Sequence, residues 1–213
     1  MSLIIGFGHE AQQGKNTVVS HLVKVFGKRK DGEWGKIFPL DVREYAFADK
    51  LKVEVFDYLQ ARTFLTSQAG FPIPKGLPDP TKLYSLQEKI DFINANKEEH
   101  RPILQVWGTE YRRRQSKKYW VVQTLDRVTS DAPQVALISD MRFENEAGVC
   151  DYTVRVIREG FHIHQSGHAS EQELNGYPYH YVLSAPEGDV EGLKRNAAII
   201  FEKILKESGL LPH

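Results

Sequence analysis

Ten residues near the start of the chain, Gly8-His9-Glu10-Ala11-Gln12-Gln13-Gly14-Lys15-Asn16-Thr17, have the composition of an anion-binding turn. Glycines let backbone N–H groups curl inward around an anion, and a lysine at the end of the turn can reach terminal phosphates. A helix that starts there adds the partial positive charge of its N-terminus. The spacing departs from G-x-x-x-x-G-K-[ST]. Gly8 precedes Gly14 by six positions rather than five, and Asn16 stands where a hydroxyl is expected, with Thr17 one place later. The competing reading is a glycine-bounded connection with an incidental lysine.

A second site candidate is Asp140, at the end of the apolar run Val135-Ala136-Leu137-Ile138-Ser139, with Arg142 two residues on. An acid at the carboxyl edge of a parallel sheet can hold Mg²⁺ or orient an acceptor hydroxyl, and an arginine can clamp phosphate through two N–H groups. The plainer reading is an acid that caps the following helix. A third candidate is the segment from Arg101 to Arg114, with Trp107 and three successive arginines at its end. Consecutive helical residues point in different directions, so at most one or two of Arg112, Arg113 and Arg114 can face a common ligand. His162, His164 and His168 form a local cluster, and His-x-His places two imidazoles on one face of a strand, but no paired carboxylate or cysteine completes a metal site. Cys150 has no cationic sequence neighbour and reads as an inert buried thiol, and Trp107 and Trp120 read first as core.

The elements that must carry these groups follow from hydrophobic periodicity. Leu3 to Phe7, Val42 to Phe47, Val135 to Asp140 and Tyr152 to Ile157 read as strands. Helical spacing recurs from Lys15 to Phe26, Lys50 to Ala61, Ser85 to Lys97, Arg101 to Val106, Tyr119 to Val128 and Glu191 to Glu207. Gly27 to Gly32 reads as a basic solvated tip. Four prolines between Gly70 and Pro80 mark an irregular insertion loop. Strands alternating with helices predict an α/β fold with a largely parallel sheet.

The chain has 213 residues, 28 basic and 28 acidic, and therefore no formal net charge. That balance argues against non-specific binding to nucleic acid or an anionic membrane surface, though not against a small anion. One cysteine excludes an internal disulfide and a thiolate metal site. With no apolar run near the length of a membrane span, the chain is expected to be soluble and cytoplasmic.

Several motifs, in order, resemble the phage-type deoxynucleoside monophosphate kinases, a branch of the P-loop nucleoside monophosphate kinase superfamily. Gly14-Lys15-Asn16-Thr17 resembles that family's G-K-D-T, and Phe47-Ala48-Asp49-Lys50-Leu51-Lys52 its F-A-D-P-L-K. Leu104-Gln105 with Gly108-Thr109-Glu110 and Arg112 or Arg113 resembles L-Q-x-x-G-T-E/D-x-x-R, and Tyr119-Trp120-Val121 resembles Y-W-V. Ser139 to Ala147 is similar to T-D-V-R-F-P-N-E-A, and His168-Ala169-Ser170-Glu171 to H-x-S-E. The resemblance covers about residues 3 to 205.

The resemblance implies a single P-loop kinase domain over residues 1–213, three-layer α/β/α with a mostly parallel central sheet. It implies a phosphate loop at 6–17, a helical acceptor-binding insertion at about 45–115 and a short lid at about 142–175. The implied reaction moves the γ-phosphoryl group of ATP to a deoxynucleoside monophosphate, with Mg²⁺. On that reading Gly8, Gln13, Gly14, Lys15, Asn16 and Thr17 hold ATP, Thr17 and Asp140 meet the metal, and Lys15, Asp140 and Arg142 are catalytic. Phe47, Asp49, Lys52, Trp107, Arg112, Arg113, Arg142, Glu146 and Glu171 are the implied acceptor residues. No nucleic-acid or membrane partner is implied, and a homodimer is left open. Two alternatives stand beside it: a P-loop kinase of another phosphorylated metabolite, such as phosphomevalonate or dephospho-coenzyme A, and a nucleotide-binding module without turnover.

Overall fold

The computed structural model describes residues 1–8, 10, 12–27, 40–161 and 173–212. The chain divides into two compact units, one formed by 1–46 with 125–213 and the other by 47–124.

The first unit is α/β, built on five parallel strands: β1 (Leu3–Gly8), β2 (Val42–Tyr45), β3 (Val135–Ile138), β4 (Tyr152–Glu159) and β5 (Tyr181–Pro186). Their order is β2-β3-β1-β4-β5, with every pairing parallel, consistent with a three-layer α/β/α arrangement. β1 is central, and Ile4 lies opposite Ala136 of β3 while Gly6 lies opposite Thr153 of β4. β3 is buried along its whole length, as expected of a strand covered on both faces. The chain leaves β1 towards one edge, and the connection from β3 crosses to the other side of β1. The carboxyl ends of β1 and β3 therefore border a point where the winding direction reverses, the usual place for a ligand in such sheets.

Helices α1 (Lys15–Phe26) and α7 (Val190–Glu207) share a core with the sheet. Val18, Val19, Leu22 and Phe26 of α1 recur at helical spacing and meet Leu193, Ala197, Phe201 and Ile204 of α7, together with Ile5 and Phe7 of β1. Phe26 and Phe201 pack edge to face at 4.8 Å. Asp189 starts α7 by accepting the Gly192 N–H at 2.8 Å, which satisfies one of the orphan donors of a helix N-terminus.

The second unit contains α2 (Asp49–Gln68), α3 (Leu86–Ala95), α4 (Lys97–Gln105) and a π-helix over Val106–Arg113, and α5 (Tyr119–Asp131) begins in it. Val55, Phe56 and Leu59 of α2 and Ile93 of α3 form its core. A reciprocal cap starts α3: Ser85 Oγ accepts the Glu88 N–H at 3.2 Å, and Glu88 Oε2 accepts the Ser85 N–H at 2.8 Å.

The observed elements differ from the sequence reading in several places. α2 runs on to Gln68 rather than Ala61, and α4 begins at Lys97 and carries Pro102 in its interior. The stretch after it is π-helical, a pattern that α-helical periodicity does not reveal. β5 and the short α6 (Glu144–Ala147) were not expected. β5 is an edge strand with only Leu183 and Ala185 buried, too few apolar positions for a clear signal. The irregular loop extends to Ser85, and Gln60 Nε2 ties it down by donating to the Asp79 and Lys82 carbonyls, each at 2.9 Å. The stretch expected as a lid at about 142–175 contains β4, whose Thr153, Val154 and Val156 are buried, so that portion belongs to the sheet. The expected basic tip at 28–32 lies outside the described residues.

Candidate functional site

β1 delivers the chain to the glycine-bounded turn, and sterics explain its first glycine. A Cβ at Gly8 would lie 2.8 Å from both Met141 Cε and the Tyr179 hydroxyl. Gly14 has a different reason. Its φ of 96° is left-handed, and a Cβ there would come within 2.9 Å of Leu193 Cδ2. Gln12 also sits in the left-handed region, at φ 55°. α1 then begins at Lys15, with the Gly14 carbonyl accepting the Val18 N–H at 3.0 Å. The amides of Lys15, Asn16 and Thr17 belong to the first turn, where N–H groups have no partner within the helix. Asn16 and Thr17 are exposed.

The turn is braced from inside. Gln13 is 3% exposed; its Nε2 donates to Glu10 Oε2 at 3.0 Å, and its Oε1 accepts the Arg158 N–H at 2.6 Å. Arg155 of β4 pairs with Glu10 Oε1 at 3.4 Å, and Lys15 Nζ donates to the Glu10 carbonyl. Gln13, expected to touch a nucleotide, thus commits its side chain to joining the turn to β4.

Lys15 is the electrostatic centre of the turn. It is 7% exposed, and its ammonium falls from the ordinary 10.5 to about 8. Burial is the largest cause, and repulsion from Arg142 adds to it, while Asp140 and Glu10 pull the other way. Lys15 therefore feels both Arg142 and Asp140, although it comes from the first helix and they follow β3. Glu146, 2% exposed on α6, shapes the second segment by accepting the Arg142 and Phe143 N–H groups on Oε2, at 2.8 and 3.2 Å. Its carboxylate positions the Arg142 backbone, whereas the sequence reading had it facing an acceptor. Two cations and a carboxylate gathered beside a helix N-terminus suit a polyanion accompanied by a divalent cation.

The remaining described candidates lie in the second unit. Phe47 is buried at 3% exposure, and Asp49 pairs with Lys52 at 3.5 Å one turn along α2. Arg112 turns inward, and its Nε donates to Glu54 Oε2 at 2.8 Å. Trp107 Nε1 donates to the same oxygen at 2.9 Å, and the Tyr119 hydroxyl donates to Glu54 Oε1 at 2.6 Å. Burial opposes ionisation of Glu54, but the bonds from Tyr119, Trp107 and Arg112 outweigh it and hold the carboxyl below its ordinary value. Arg113 is half-buried like Arg112, and Arg114 is exposed. Sequence reasoning missed Glu54. Its only signal is an acid flanked by Val53, Val55 and Phe56, which by itself reads as the wet side of a helix.

Cys150 is half-buried as a residue, but its thiol donates to the Glu146 carbonyl at 3.3 Å and burial pushes it up to about 12. Glu171, expected as an acceptor residue, lies outside the described residues, as do Ser170 and the histidines 162, 164 and 168 that were set aside as a metal site. Among the described residues no group of three or more His, Cys, Asp or Glu side chains could hold a metal, and no helix is long and apolar enough to cross a membrane. No protein-family model matches the chain, and no curated protein matches it either.

Proposed function

We propose that the chain is an ATP-dependent kinase of deoxynucleoside monophosphates, with the turn from Gly8 to Thr17 as a P-loop. What supports the reading is the electrostatic coupling of Lys15 with Arg142 and Asp140 at the carboxyl ends of β1 and β3. Together with the motif order in the sequence, it supplies the groups phosphoryl transfer asks for. That reaction relies on positioning and charge stabilisation more than on covalent help from the protein.

On this reading an acceptor phosphate oxygen attacks the γ-phosphorus of ATP, the bond to the β–γ bridging oxygen breaks, and ADP leaves. Lys15 and the first-turn amides of α1 hold the donor phosphates. Arg142 neutralises charge that moves onto the transferring group, its backbone held by Glu146. Asp140 and Thr17 would hold Mg²⁺, which shares its charge with the phosphate oxygens when bound. A hydroxyl and one carboxylate fit a cation that is bound mainly through phosphate and water. Arg112 and Arg113 serve the acceptor phosphate, and Phe47, Asp49, Lys52 and Trp107 its nucleoside.

The test is Mg²⁺-dependent ADP release with each deoxynucleoside monophosphate and with a set of non-nucleotide phosphates. The reading expects turnover of one or more of the nucleotides and loss of turnover in a folded Lys15→Ala variant. Turnover of a non-nucleotide phosphate alone would move the chain to another P-loop kinase. Nucleotide-dependent thermal stabilisation without ADP release would make it a binding module.

A further inference from the structure

The π-helix and Glu54 have a joint consequence. In an α-helix, residues five apart point about 140° away from each other. Trp107 and Arg112 are five apart, yet both donate to Glu54 Oε2. The i→i+5 hydrogen bonding of a π-helix brings such residues nearly into line, and π segments occur often at functional sites. The π-helix also places Gly108 against Leu51, where a Cβ would lie 2.9 Å from Leu51 Cδ2, and the Gly108 carbonyl accepts the Trp120 indole N–H at 3.1 Å.

The result is a guanidinium fixed by its inner edge. Glu54 takes Nε, and the Tyr111 and Tyr119 rings lie 5.1 and 4.8 Å from Cζ. Among the described residues neither Nη group of Arg112 makes a hydrogen bond, and the side chain keeps 25% of its exposure. An arginine held at Nε and flanked by aromatic rings has lost most of its rotamer freedom before any ligand arrives. Its two outer amino groups stay parallel, the geometry that matches two oxygens of a phosphate.

We infer that Glu54 is the positioning residue of an anion-binding arginine, Arg112, and that the ligand it prepares for is the phosphomonoester dianion of the acceptor. The identity of that ligand as an acceptor rests on the kinase reading; the anion site does not. A merely structural Glu54–Arg112 pair predicts lost stability on substitution and no change in phosphate affinity.

The experiment is a titration of the full chain with inorganic phosphate in wild type, Glu54→Gln, Arg112→Lys and the double variant, read at the Trp107 Nε1–H resonance in all four and also at the Arg112 Nε–H where the arginine is kept. Arg112→Lys keeps the charge, so it tests the fork even if Glu54→Gln fails to fold. Phosphate should shift both resonances in the wild type, and each single variant should weaken binding at this site about tenfold or more. The double variant should be no worse than the weaker single, since the two residues act as one device. Phosphate that leaves these resonances unmoved, or binds folded Arg112→Lys as tightly as wild type, overturns the inference. In turnover assays the same variants should raise KM for the nucleoside monophosphate about tenfold, with KM for ATP within about twofold. Turnover with an unchanged acceptor KM would sink this inference and leave the kinase reading standing. Phosphate binding here without any turnover would do the reverse.

Discussion

Lys15→Met should make the protein more stable while disabling its anion site. The Lys15 ammonium lies at about 8 in the folded chain against 10.5 in an ordinary setting. At about 1.36 kcal/mol per pH unit, the buried charge costs folding about 3 kcal/mol at pH 7. Removing it also removes the hydrogen bond from Lys15 Nζ to the Glu10 carbonyl, a loss of about 1–2 kcal/mol. Methionine fills a similar volume without a charge, so the net gain should be about 1–2 kcal/mol, or roughly 3–6 °C in Tm for a chain of this size. The pH dependence carries the stronger signature. Below about 8 the lysine is protonated in both states and the whole cost is present. Between about 8 and 10.5 the folded state gives up its proton first, the cost shrinks, and wild type gains on the variant. Urea unfolding of both proteins at pH 7, 9 and 10 reads this directly. A variant less stable than wild type at pH 7, or a gap that does not narrow as the pH rises, would refute the account. A polyphosphate ligand should stabilise wild type far more than the variant, because its negative charge lowers the cost of the buried ammonium.

Gly8→Ala places a methyl group 2.8 Å from Met141 Cε and the Tyr179 hydroxyl and should lower stability by about 1–3 kcal/mol in chemical denaturation. Adding Tyr179→Phe should recover part of that loss. Asp189→Ala removes the cap on Gly192 N–H and should cost about 1 kcal/mol, measured the same way. Cys150, with its thiol near 12, should be ionised to only about one part in 10⁴ at pH 8 and react with a thiol reagent far more slowly than a free cysteine does. The rate should rise sharply once denaturant exposes it.

The parts legible in sequence were those with strong local signals. Lys15 to Phe26 announces itself because Val18, Val19, Leu22 and Phe26 all face one core. β3 does so because a strand buried on both faces is a continuous apolar run. The turn from Gly8 to Gly14 was legible as a turn, but its two glycines could not be told apart. Gly14 is needed for a left-handed backbone, and Gly8 for the close approach of side chains from residues 141 and 179. That Gln13 links the Glu10 carboxylate to the Arg158 N–H, and that Glu146 accepts the Arg142 and Phe143 N–H groups, was not legible, because the burial of both side chains is set only by the folded chain.

What the sequence determined by itself is the alternation of strands and helices, the location of the cationic turn, and the absence of any charge excess that would favour a polyelectrolyte. These depend on residue type and on spacing within a dozen residues. Only the tertiary structure decided which charges meet. Lys15 is depressed by burial first and then by Arg142 from the far side of the sequence, and Glu54 becomes the hub of Trp107, Arg112 and Tyr119 because a π-helix turns residues five apart to one side. Burial and charge coupling are properties of neighbours in space, which chain order does not encode locally, and they are what give these few ionisable groups their chemistry.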